Sequence, residues 1–131
     1  MAPHSGQWEL SPDPHQIGAV RREVASFAAH AGMAPAAQTD LQVAVSDAIT
    51  SAVLQADGNH DAGPVSVRAE ELGDQLVVRV REGGGRLGAR PSWTALGPRL
   101  SMIAALAQGF AVRRCEGGAT ELSMRFALSR G

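Results

Sequence analysis

Asp47 and Ser51 stand four residues apart in the stretch SDAITSAVLQA, residues 46–56, so a helix there would stack a carboxylate and a hydroxyl on one face. Farther along, the strand-like VRVRE ends in Glu82 and runs into Gly83, Gly84, Gly85 and Arg86. Gly97 precedes the helix-like PRLSMIAAL, and Thr120 closes the sequence GGAT. A carboxylate can take a proton, glycines let the backbone come close to a ligand, and an arginine in a loop can clamp a phosphate. Taken singly, each feature has a plainer reading: a solvated helix face, a glycine turn after a strand, a bend before a helix or a solvated loop arginine.

Those residues need elements to hold them. QWELSP, residues 7–12, alternates Trp8 and Leu10 with polar neighbours, the pattern of a short half-buried strand. In DPHQIGAVRREVASFAAHAG, Asp13 is placed to cap a helix, Pro14 to take its first position and Gly32 to stop it. Ile17, Val20, Val24, Phe27 and Ala28 recur at helical spacing as its buried stripe. A second helix restarts after Pro35, with Thr39 as cap and Leu41, Val45, Ala48, Ile49, Ala52 and Val53 inward; Asp40, Ala44, Asp47 and Ser51 then form a second face. VSVRAEEL and QLVVRVRE flank Gly73 and Asp74 as a hairpin.

Residues 83–97 have no periodicity and are rich in glycine and arginine, which suits a mobile, ligand-covering loop better than an idle linker. PRLSMIAALAQG predicts a short helix with Leu100, Ile103, Ala104 and Leu106 inward, and FAVRRCEGGATELSMRFAL a second hairpin turning at Gly117 and Gly118. Sequential hairpins make the sheet mixed and mainly antiparallel, with three helices on one face. The expected fold is α+β, a two-layer α/β sandwich in a single domain spanning residues 1–131.

Composition removes several classes of function. The formal net charge is −1 with an isoelectric point near 6.4, which argues against direct nucleic-acid binding by phosphate neutralisation. All 12 basic residues are arginine, so a Walker lysine, a Schiff base and a kinase strand lysine are excluded. Cys115 stands alone, which excludes an internal disulfide and a cysteine metal cluster and reads as a small buried hydrophobe. No apolar run approaches the roughly 20 residues that span a bilayer, and the N-terminus lacks a signal pattern. A cytoplasmic protein without membrane contact is expected.

The order and spacing of the polar segments resemble the Bergerat-fold (GHKL) ATPases, histidine-kinase-like in architecture, and within them the short anti-sigma-factor serine kinases of bacteria. The likeness runs from WELSPDPHQIGAVRREV to GGATELSMRFAL. The family's SEAxTNAxxHA box reads SDAITSAVLQA here, with Asp47, Ser51 and Gln55 in place of glutamate, asparagine and histidine. DxGxG appears as Glu82-Gly83-Gly84-Gly85-Arg86, keeping the first glycine as Gly84. GxGLxL appears as ALGPRL, with Ala95 for one glycine while Gly97 and Leu100 remain. The last box keeps Gly117, Gly118 and Thr120.

The resemblance implies roles for these positions. Asp47 would be the base, Ser51 a weak magnesium contact, Glu82 the partner of the adenine amino group and Arg86 a phosphate clamp. Gly84, Gly97 and Thr120 would be backbone-close or phosphate-side positions, under a lid at about residues 83–97. Shortening the base by one methylene withdraws it by roughly 1.5 Å, and misplacement of about 1 Å can cost about 100-fold in rate. The implied cofactors are ATP or ADP with magnesium, held weakly or no longer held. The implied function is an anti-sigma-factor-like regulator with weak or lost serine kinase activity, binding a sigma factor and a STAS-type anti-anti-sigma partner, and pairing as a homodimer. The alternative is a non-catalytic protein-binding module of the same fold that binds no nucleotide.

Overall fold

Period-two strands and period-3.6 helices assemble as two layers. The computed structural model describes residues 5–10, 14–57, 65–82, 97–114 and 119–128. In chain order the elements are β1 (Ser5–Leu10), α1 (Ile17–His30), α2 (Pro35–Asp57), β2 (Val65–Leu72), β3 (Gln75–Glu82), α3 (Gly97–Leu106), β4 (Gly109–Arg114) and β5 (Thr120–Ala127). The five strands form one sheet in the order β1-β2-β3-β5-β4. Every pairing among them is antiparallel, so the strand topology is simpler than a mixed sheet. After β3 the chain passes through α3, forms the edge strand β4, and folds back to seat β5 between β4 and β3.

Register sorts each strand's residues onto two faces. Val67, Val80 and Leu122 stand opposite one another across β2, β3 and β5, as do Ala69, Val78 and Met124 in the next row. All six are buried. α2 lies at the centre of the helical layer, packed against α1, α3, β2, β3 and β5, and its Leu41, Val45, Ala48, Ile49 and Ala52 are fully buried. Removing this apolar surface from water, at roughly 25 cal/mol per Å², is the main force holding helices to sheet. Trp8 of β1 meets Phe27 of α1 edge-to-face, with ring centroids 6.3 Å apart, fastening the sheet's other edge. The β2–β3 turn needs Gly73, whose φ of 62° lies in the left-handed region.

Several helix details differ from expectation. Pro14 sits in a 3-10 turn, Pro14–Gln16, and α1 begins at Ile17 with Gln16 as an N-cap that makes no side-chain bond; Asp13 lies outside the described residues. α2 starts at Pro35, not after it, because proline's fixed φ and missing donor suit the first helical position. Thr39 is therefore inside the helix, where its Oγ1 donates back to the Pro35 carbonyl at 3.3 Å and does not cap. In α3, Ile103 is buried and Leu106 half-buried, but Ala104 is exposed; a methyl group gains little from burial, so alanine does not fix the helix's rotation. Cys115, the Gly117–Gly118 turn and loops 58–64 and 83–96 lie outside the described residues.

Candidate functional site

Glu82 is the last residue of β3 and Thr120 the first of β5, and the register places them directly opposite each other. Two-residue alternation puts both on the helix-covered face, one row beyond Val80 and Leu122. Thr120 is buried and Glu82 half-buried. Burial disfavours the charged form of the Glu82 carboxyl and pushes its pKa up from 4.5 to about 7. Near neutral pH such a group exists in both forms, accepting hydrogen bonds when ionised and also donating one when protonated.

α2 crosses the same side of the sheet, in contact with β3, β5 and α3. The face expected to be polar is only partly so: Asp40 is exposed and Asp47 half-buried, whereas Ala44 and Ser51 are buried. The reason is that α2 has neighbours on three sides, so a stripe outside the main apolar row is also covered. Ser51, 4% exposed, is thus an interior hydroxyl and not part of a wet surface.

Asp47 opens onto a groove of about 280 Å³ between α1 and α2, lined by Arg21, Thr39, Gln42, Val43, Ser46 and Asp47 itself. The Arg21 Nε is buried there without a hydrogen-bond partner among the described residues. Sequence reasoning missed Arg21. The available signal was its place one residue after buried Val20, which carries its stem along the α1–α2 seam.

The structure therefore brings Glu82 and Thr120 together across β3 and β5, and sets Asp47 beside Arg21. Gly97 is the first residue of α3, which packs on α2. Gly84 and Arg86, with the loop that carries them, lie outside the described residues, and so does the Gln55 side chain. His15 and His30 are exposed; His30 Nδ1 lies 2.8 Å from the Ser26 carbonyl, a local helix-end contact away from these groups.

Comparison with known proteins identifies the family of the fold. The profile of the histidine kinase-like ATPase domain matches residues 10–126. Serine-protein kinase RsbW of Listeria monocytogenes is 34% identical over 76 residues, covering 58% of this chain and 48% of that protein. Serine-protein kinase RsbW of Bacillus velezensis is 32% identical over 92 residues, covering 70% of this chain and 58% of that protein. The chain spans about half the length of the curated relatives it matches. With a five-stranded antiparallel sheet, a helical layer on one face and a profile match over nearly its whole length, this chain belongs to the histidine kinase-like ATPase domain family.

Proposed function

We propose that this protein is an anti-sigma-factor-like regulator that binds a nucleotide between α2, α3 and the ends of β3 and β5, with weak phosphoryl transfer to a protein serine. The observation that carries the reading is the pair of half-buried Glu82 and buried Thr120 at the helix-facing end of two neighbouring strands. An adenine amino group would donate to the Glu82 carboxylate. Because Thr120 stands opposite Glu82 in the register, this reading gives it to the adenine end and not to the phosphate side. Gly84, Arg86 and Gly97 complete the proposal on the phosphate side, Arg86 as the anion clamp.

Among the described residues no group of three or more His, Cys, Asp or Glu side chains gathers to hold a metal ion. Magnesium would accordingly come with the phosphates, supplying charge neutralisation, and Ser51 would be its weak protein contact, short in reach and buried in the helix. Asp47 would take the proton of a partner's serine hydroxyl, whose oxygen would bond to the γ-phosphorus of ATP with ADP as the leaving group. The Arg21-lined groove beside Asp47 gives that hydroxyl a route to the base. Asp47 is one methylene shorter than glutamate, which makes transfer slow. A STAS-type anti-anti-sigma protein is the proposed serine donor, a sigma factor the second partner, and a homodimer the working form.

The serine kinases among the relatives support this reading over a module without nucleotide. The test is incubation with radiolabelled ATP and STAS-domain proteins, comparing wild type with Asp47→Glu/Ser51→Asn. Label transfer that is slow in wild type and restored in the double variant is expected. Equal rates in both would remove the base and metal assignments, and no transfer by either would remove the kinase reading.

A further inference from the structure

The sheet's second face carries chemistry that the nucleotide reading does not use. Alternation sends Arg68 of β2, Arg79 and Arg81 of β3, Glu121 of β5 and Arg113 of β4 to the side opposite the helices, where no described element packs on them. They line a groove of about 430 Å³ with Glu70, leaving two positive charges in excess. The glutamates act as internal counter-ions: Arg79 reaches Glu70 at 2.9 Å and Glu121 at 3.9 Å, and Arg113 reaches Glu121 at 3.1 Å. Arg68 stands directly opposite Arg79 in the register, is exposed and makes no ion pair among the described residues. Like charges facing each other across a strand pair oppose folding, so an anion bound here relieves a cost built into the sheet.

We propose that this open face is a docking site for an acidic, extended segment of a partner protein, with carboxylates at alternate positions. Three features select that occupant. The guanidinium groups match carboxylates in planar, two-bond geometry. The groove runs across strands spaced about 4.8 Å apart, so the width of this sheet is spanned by about six extended residues, which one small anion would leave largely unfilled. The lining is polar and offers no ring on which a nucleobase could stack. The site is on the other side of the sheet from Glu82 and Thr120 and does not depend on nucleotide binding.

The test is fluorescence anisotropy of a labelled hexaglutamate peptide with the full chain, for wild type and Arg68→Glu, at about 20 and about 200 mM salt. Wild type is expected to bind, to weaken about tenfold at the higher salt, and to bind the hexaglutamine control not at all. Arg68→Glu is expected to weaken binding at least about tenfold while raising the melting temperature, because it puts a carboxylate opposite Arg79. Unchanged affinity in Arg68→Glu, or a lower melting temperature with unchanged binding, would overturn the proposal. So would tripolyphosphate binding as tightly as the peptide, which would give the face to a small polyphosphate. An Arg68-dependent dimer in light scattering, with no peptide bound, would give it to a second copy of the chain.

Discussion

The two ends of the candidate pocket are built differently and have departed from their family pattern in opposite directions. At the sheet end, Glu82 and Thr120 are set by strand register, each opposite the other, and the acid is longer than the aspartate of the DxGxG motif that the stretch resembles. At the helix end, Asp47 and Ser51 follow a four-residue step on α2, and both are shorter than the family's glutamate and asparagine. A longer acid at the end of a strand still reaches into the space under the helices. The shorter side chain of Asp47 cannot be brought forward by its helix, because α2 is held on three sides. On the proposed reading, recognition would therefore tolerate its substitution, while phosphoryl transfer, which depends on placement within about 1 Å, would not.

The largest effect should come from the helix end. Asp47→Glu/Ser51→Asn is predicted to raise the rate of phosphate transfer by about 100-fold in single-turnover assays, with little change in ADP affinity measured without magnesium. If the double variant instead tightens ADP binding and leaves transfer unchanged, the division of labour between the two ends fails. Next in size, Glu82→Ala should weaken ATP binding by about 10- to 100-fold in calorimetry, the loss expected for one charged hydrogen bond.

Glu82 also gives the sheet end a pH dependence. Its folded-state pKa is raised to about 7 from 4.5 by burial. A donating adenine amino group favours the ionised form, so ATP binding should tighten by about tenfold from pH 6 to pH 8 and release a proton. The sign for folding is opposite: the stability that the neutral carboxyl allows is fully present below about 4.5 and is lost as pH rises through about 7. Glu82→Gln should remove that decline in chemical denaturation measured across the same window. The smallest effect is predicted for Thr120→Val, about fivefold in ATP affinity for one neutral hydrogen bond; a null result there would leave Glu82 as the sole contact of the pair.

Much of the fold was legible in the sequence because its signals are periodic. The β2–β3 hairpin around Gly73 and Asp74, the stop at Gly32 and the buried stripe of α2 follow from spacing alone. Helix starts were less legible: Pro14 and Pro35 carry the same local signal, yet one opens a 3-10 turn and the other a 23-residue helix. The burial of Ser51 was not legible, since it depends on α3 and β5 closing over α2 from distant parts of the chain. Nor was the opposition of Glu82 and Thr120, which lie in separate hairpins and meet only because β5 inserts next to β3. The open-face arginines could have been found by extending the alternation of the first hairpin to its outward residues, Arg68, Arg79 and Arg81.

The measurement that bears most directly on nucleotide recognition is thermal unfolding of wild type and Glu82→Ala with and without Mg-ATP. A ligand present at 100 times its dissociation constant adds about 2.7 kcal/mol to stability, which for a domain of this size is a rise on the order of 10 °C. The predicted result is that rise in wild type and no more than about half of it in Glu82→Ala. No rise in wild type at millimolar Mg-ATP, or equal rises in both proteins, would contradict a nucleotide site organised by Glu82.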